Sequence, residues 1–191
     1  MKLTHRFGEA LTYAFQLHGE QRRKGGSETP YIAHLLSVCA LVLEHGGSED
    51  EAIGALLHDA IEDQGGQRAR DEIRRRFGEQ VAAIVVGCSD TDRQPKPPWR
   101  LRKEAYIDHL PGAPRSVRLV SAADKLHNAR SILEDYRRVG EELWDRFRGG
   151  REGTLWYYRS LVSVFTECGP ASLAPELVRV VDELERLVGD D

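Results

Sequence analysis

The chain has 191 residues, and its 27 Lys and Arg stand against 31 Asp and Glu for a net charge of −4. This length suits one domain spanning 1–191 and suffices to bury a hydrophobic core without disulfides or a structural metal. With 40% apolar and 30% charged residues the chain is not a disordered tail, and its acidic balance speaks against binding nucleic acid through bulk charge.

Cys39, Cys88 and Cys168 form no CxxC pair and are odd in number, which argues against a disulfide framework and for a reducing compartment. Cys39 and Cys88 lie in apolar runs and are expected in the core. No apolar stretch reaches the roughly 18–20 residues of a membrane helix. The N-terminus lacks the apolar block of a secretory signal, so a cytoplasmic protein with no membrane partner is expected.

Most segments follow the 3.6-residue period of helices rather than the alternation of strands. Phe7, Ala10, Leu11, Ala14, Phe15 and His18 recur at spacings of three and four and predict a first helix. A Gly-rich loop, Lys24 to Pro30, follows. The next helix is expected over about Ile32–His45, stopped by Gly46 and Gly47. Ser48, with Glu51 three residues on, reads as a capping box. The helix it opens carries Ile53, Ala55, Leu56, Leu57, Ala60 and Ile61 and is expected to run on to Gly65.

Helices around Asp71–Phe77 and Glu79–Cys88 come next. Pro95, Pro97 and Pro98 mark Ser89–Trp99 as a loop, and its Asp90–Pro98 part is a candidate gate. Further helices are expected at about Leu101–His109, Ser116–Arg137, Glu141–Phe147, Leu155–Glu167 and Pro175–Val188, with a turn at Pro111–Pro114. The fold class is all-α, a compact orthogonal helical bundle.

The run Ala55-Leu56-Leu57-His58-Asp59-Ala60-Ile61-Glu62-Asp63 turns abruptly from apolar to polar. On one continuous helix at about 100° per residue, His58, Asp59, Glu62 and Asp63 sit at about 0°, 100°, 40° and 140° on a single arc. Three carboxylates crowded there repel one another and resist burial, and a divalent cation reverses that balance. His58 and Asp59 are its candidate ligands. Glu62 and Asp63, one turn on, are placed to handle an activated water. The same run also reads as a solvated helix end, where acids oppose the dipole at a cost of about 1 kcal/mol or less.

Asp124 interrupts the apolar stretch Val117–Ala129. A buried unpaired carboxylate costs several kcal/mol or takes up a proton, so Asp124 calls for either a metal or a salt bridge to Lys or Arg. Asn128 lies one turn on, on the same face. His34 opens a helix after Tyr31 and is either a third ligand or a capping or surface residue. His5, His45 and His109 stand without companions, while His18 and His127 suit core packing or support of a ligand.

The ordered pattern His34, His58-Asp59, Asp124 resembles the HD-domain phosphohydrolases. It is most similar to the RelA/SpoT-type (p)ppGpp hydrolase domains, above all the stand-alone small alarmone hydrolases. The motifs that carry the likeness are Gln21-Arg22-Arg23-Lys24, Pro30-Tyr31-Ile32-Ala33-His34, His58-Asp59-Ala60-Ile61-Glu62-Asp63, Phe77-Gly78-Glu79-Gln80-Val81-Ala82 and Ala123-Asp124-Lys125-Leu126-His127-Asn128.

The resemblance implies an HD-type bundle in which His34, His58, Asp59 and Asp124 ligate one Mn²⁺ per chain. Glu62 and Asp63 then position or deprotonate the attacking water. Arg23 and Lys24 cover the base and phosphates of a guanine nucleotide, Tyr31 packs the loop or stacks on substrate, and Asn128 bonds the sugar or phosphates. The implied reaction takes ppGpp to GDP and pyrophosphate.

Apart from the family, Arg23 and Lys24 read equally as a solvated basic helix end. Leu35 stands where the family commonly has Pro, and the loop from Lys24 to His34 resembles the small stand-alone type. The long relatives carry a synthetase downstream, and with the sequence ending at Asp191 alarmone synthesis is not expected. Two other readings remain at this point: an HD phosphohydrolase for another nucleotide, such as a dNMP or NADPH, and a nucleotide-binding module without turnover.

Overall fold

A computed structural model describes residues 2–23, 28–91 and 95–189. Among these, ten α-helices and two 3-10 segments make up the regular structure, and the strand pairing is limited to one isolated bridge, Arg22 to Pro30. The all-α expectation holds.

Helix α1 (His5–His18) starts where the Thr4 hydroxyl accepts from the Arg6 amide, and it buries Ala10, Tyr13, Ala14 and His18. Two backbone bonds then close the neck of the following loop: the Arg23 amide donates to Thr29 at 3.0 Å and the Tyr31 amide to Gln21 at 2.8 Å. Helix α2 (Ile32–Glu44) packs Leu35, Val38, Cys39 and Val42 inward and stops at Gly46, whose φ of +78° favours glycine.

Helix α3 (Glu49–Leu57) opens in the expected capping box. The Ser48 hydroxyl accepts from the Glu51 amide at 3.3 Å, and the Glu51 carboxylate accepts from the Ser48 amide at 2.7 Å. Every residue from Glu51 to Leu57 is buried, so α3 is enclosed on all sides. Helix α6 (Glu79–Cys88) lies close against it, because a Cβ on Gly54 would meet Ile84 Cγ2 at 2.6 Å.

The helix expected to continue to Gly65 is in fact two. It breaks at His58 and Asp59, where Asp59 has φ −95° and ψ −2°, and resumes as α4 (Ala60–Gln64). At the break the His58 ring folds back and donates from Nδ1 to the Ala55 carbonyl at 2.8 Å. The angular positions of an unbroken helix therefore do not describe this corner. Helix α5 (Gly66–Phe77) follows and packs on α4 and α6.

Helix α7 (Trp99–His109) leads through a 3-10 turn, Leu110–Gly112, into helix α8 (Arg115–Val139). At 25 residues α8 runs through the molecule and packs on α2, α3 and α6. The helix expected at Glu141–Phe147 is a 3-10 segment, Gly140–Arg146. There Leu143 and Trp144 are buried, and both the Tyr136 hydroxyl and the Trp144 indole donate to Glu141, at 2.8 and 3.3 Å. Anchoring two large side chains beneath α8 overrides helical propensity over so short a stretch.

Helix α9 (Gly150–Cys168) and helix α10 (Ala174–Gly189) close the bundle, α10 laying Leu177, Val181, Leu184 and Val188 along α8 and α9. Cys39 is buried as expected, whereas Cys88 is only half-buried at the edge of the core; all three thiols are free. No helix among the described residues is long and apolar enough to cross a membrane.

Candidate active site

Three elements meet at one point. Helix α2 brings His34, the break between α3 and α4 brings His58 and Asp59, and the middle of α8 brings Asp124. Nitrogen and oxygen atoms of His34, His58 and Asp59 lie within 4.8 Å of one another. Asp59 Oδ2 is 3.1 Å from His58 Nε2 and 3.7 Å from His34 Nε2. Asp124 Oδ1 faces the same two nitrogens at 3.5 and 3.2 Å.

These spacings fit a cation. Two donors about 2.1 Å from one ion and at right angles to each other lie about 3 Å apart. His58 Nε2 is buried and makes no aligned hydrogen bond despite its carboxylate neighbours. With Nδ1–H bonded to the Ala55 carbonyl, Nε2 is the ring's free position: Asp59 and Asp124 raise the His58 pKa well above its ordinary value against the pull of burial, and a cation seated there would take the Nε2 lone pair in place of a proton. Nδ1 of His34 meets Nδ1 of His127 at 2.8 Å, and with His34 as donor its Nε2 also keeps a lone pair. Two imidazoles and two carboxylates suit a moderately hard divalent ion.

Electrostatics around this point are strongly coupled. Burial opposes charge on both Asp59 and Asp124, yet His58 beside the first and Lys125 beside the second hold their carboxyls well below the usual range. Burial lowers the pKa of His34, with Asp124 opposing the shift. Burial, His34 and Arg23 push His127 down to about 4, so it is neutral at pH 7 and accepts readily. Lys125 Nζ sits 2.6 Å from Asp124 Oδ2. The salt bridge weighed against a metal for Asp124 is therefore present on one oxygen, while the other faces the imidazoles.

Arg23, Tyr31, Glu62, Asp63 and Asn128 line one cavity of about 1260 Å³ that opens from this point. Glu62 is half-buried and accepts from Lys96 at 3.0 Å. Burial and the nearby Asp90 raise its pKa, and Lys96 works against them. Asp63 is exposed and accepts from the Gln21 amide at 3.0 Å; that same Gln21 accepts from Gln64 at 2.9 Å and meets His18 Nδ1 at 2.7 Å. Arg23 donates to Asn128 Oδ1 at 3.0 Å, and Asn128 in turn donates to Asp124 Oδ1 at 2.6 Å.

Tyr31 is 8% exposed; its hydroxyl donates to Asp59 and its ring stacks on His18. Tyr31 thus packs on His18 and bonds Asp59 while also lining the cavity. Lys24 lies outside the described residues, as do 92–94 of the expected gate.

Sequence reasoning missed a buried cluster beside Glu62. Asp90 accepts from Arg102 and, at 2.9 Å, from Lys103, and Arg102 reaches Glu62 at 4.0 Å. These pairs cross from the end of α6 to α7, and no local spacing announces them. Gln21 stands beside Arg22 and Arg23 in the chain, and only folding shows its contacts with His18, Gln64 and Asp63.

The HD-domain family profile matches residues 10–155. The chain is 37% identical to guanosine-3′,5′-bis(diphosphate) 3′-pyrophosphohydrolase MESH1 of Xenopus tropicalis over 142 residues, 73% of this chain and 74% of that one. Against the Homo sapiens protein of the same name it is 34% identical over the same shares. Its fold is shared with a solved structure of a metazoan ortholog of SpoT that hydrolyzes ppGpp, at a TM-score of 0.79 and 23% identity, covering 98% of this chain and 99% of that one. With the profile spanning most of the helices that build the His and Asp cluster, the chain belongs to the HD-domain family.

Proposed function

We propose that this chain is a Mn²⁺-dependent (p)ppGpp 3′-pyrophosphohydrolase that takes ppGpp to GDP and pyrophosphate. The observation that carries the reading is the convergence of His34, His58, Asp59 and Asp124 at the inner end of a cavity lined by ten Lys and Arg against six Asp and Glu among the described residues. In a chain of net charge −4, such a cavity is selective for a polyanion. The relatives named for this activity support the substrate.

His34, His58, Asp59 and Asp124 would hold the ion. When bound, a divalent cation supplies positive charge that polarises a phosphoryl group and lowers the pKa of a nearby water. The chain's own residues do the rest. Glu62, with its raised pKa, accepts the proton of the attacking water near neutral pH. Asp63, steadied by Gln21, fixes that water by hydrogen bonding. The water oxygen bonds to the 3′-phosphorus, the bond from phosphorus to O3′ breaks, and a proton passes to the 3′-oxygen. Arg23 offers a guanidinium plane at the sugar and base, with Asn128 and Ser131 as its neutral partners.

A panel of ppGpp, NADPH and deoxynucleoside monophosphates, each with Mn²⁺, tests this directly. Pyrophosphate release from ppGpp at a kcat/KM well above the others is the expected result; preference for NADPH or a dNMP overturns the substrate, and no turnover of any overturns the enzyme.

A further inference from the structure

Helix α4, which carries Glu62, Asp63 and Gln64, is five residues long. A helix so short does not hold its own place, and what fixes its side chains lies outside it. It packs on α1, α5 and α6, and the Gln21 side chain, from just beyond α1, reaches its polar residues. The Gln21 carboxamide meets three partners at once: Asp63 Oδ2 at 3.0 Å, Gln64 Nε2 at 2.9 Å and His18 Nδ1 at 2.7 Å.

These partners orient the amide. A carboxylate only accepts, so Gln21 Nε2 faces Asp63 and Oε1 faces Gln64 and His18. An acceptor at Oε1 in turn places an imidazole proton on Nδ1 of His18. Turned over, the amide would set its oxygen against Asp63 and its own N–H groups against two donors. His18 cannot swing aside. It is fully buried, and its ring stacks on Tyr31 with centroids 5.4 Å apart. Tyr31 is itself tied back, its amide donating to the Gln21 carbonyl at 2.8 Å.

The other ring nitrogen of His18, Nε2, is buried and makes no hydrogen bond among the described residues. An unpaired buried polar atom is costly, and an apolar side chain would fill the same space without one. The imidazole therefore stands there for the bond that it makes to Gln21.

We propose that His18 is a positioning residue for the hydrolytic step: its Nδ1 proton locks the Gln21 carboxamide in the orientation that donates to Asp63. This rests on the hydrolase reading above, in which Asp63 fixes the attacking water. His18 touches neither water nor nucleotide and transfers no proton. Through Gln21 it engages Asp63 Oδ2 and leaves Oδ1 to the water.

Long-range proton–nitrogen correlation spectra of the nitrogen-labelled full chain, with metal chelated, read the tautomer apart from any turnover. A His18 proton on Nδ1 is the expected result, and a proton on Nε2 alone overturns the proposal. With Mn²⁺ present, His18→Leu and Gln21→Leu are each expected to lower kcat for ppGpp about tenfold, the weight of one hydrogen bond, with KM and metal affinity unchanged. His18→Asn, whose amide N–H stands about where Nδ1–H does, is expected to recover most of that rate. Should His18→Leu fail to fold, Gln21→Leu, made at a half-buried side chain, carries the comparison. Wild-type kcat in either folded variant, or a loss confined to the melting temperature, overturns the positioning role. If the wild-type protein hydrolyses no nucleotide the hydrolase reading fails, and the spectra still decide whether His18 locks the amide.

Discussion

The Asp124 end and the Arg138 end of helix α8 line one cavity under opposite physical rules. At the first, His34, His58 and Asp124 are at most 5% exposed, and each is tied by a further contact to His127, Ala55 or Asn128. At the second, the Arg137 and Arg138 side chains are 42% and 70% exposed and pair with acids at the surface. An exposed pair of this kind is worth about 0.2–1 kcal/mol, so a guanidinium leaves its acid at little cost. A buried donor left without its partner costs about 1–3 kcal/mol. The rigid end suits bond breaking, which requires donors held in place, whereas guanidiniums at the loose end are free to exchange partners.

The largest effect that can break this contrast comes from the ligands. Asp59→Ala and Asp124→Ala are each expected to abolish turnover and bound metal together, read by pyrophosphate release and by elemental analysis of dialysed protein. Metal retained at wild-type level in either variant would remove that residue from the ligand set. Next in size, Glu62→Gln and Asp63→Asn are expected to keep the metal and lose about 10²–10⁴ in kcat, the range of a missing general base. Full rates in both would show that the water is handled elsewhere.

His127→Leu probes the support beneath a ligand. With no acceptor for His34 Nδ1, metal affinity is expected to fall about 10–100-fold while the fold persists. A titration that matches wild type would mean that His34 is oriented without its neighbour. The pH profile gives a smaller and signed effect. Glu62 works as a base only when ionised, and its pKa is raised by burial and Asp90, so kcat is expected to fall on acidification at a higher pH than an ordinary glutamate would dictate. Lys96 opposes that rise, so Lys96→Ala is expected to move the acid limb further up. A limb that stays put or moves down would detach Glu62 from the rate.

Much of this arrangement is legible in the residues, and the reasons are local. Ser48 and Glu51 sit three apart because a capping box needs that spacing, and Gly46 stands where α2 must turn left-handed. Asp124 stands out because a carboxylate in an apolar helix demands a partner. The break at His58 was not legible, since Ala55 to Ile61 keeps a helical rhythm and the bond of the His58 ring to the Ala55 carbonyl exists only in the folded chain. Nor was the cluster of Asp90, Arg102 and Lys103, whose members meet only when α6 and α7 pack. The segment Gly140–Arg146 reads as a helix by period, but burial of Leu143 and Trp144 decides it.

The smallest effect separates scaffold from site. Ser48 caps α3 ten residues before His58, where the chain breaks, and its hydroxyl touches nothing in the cavity. Ser48→Ala is expected to cost about 1 kcal/mol of stability, the usual loss for a cap. Because α3 is enclosed on all sides, fraying of its first turn is expected to stop well short of Leu57. Metal affinity and kcat should then match wild type while the denaturation midpoint falls. A parallel drop in metal affinity would show that the first turn of α3 sets the position of His58, and the rigidity of the Asp124 end would then extend through the whole helix.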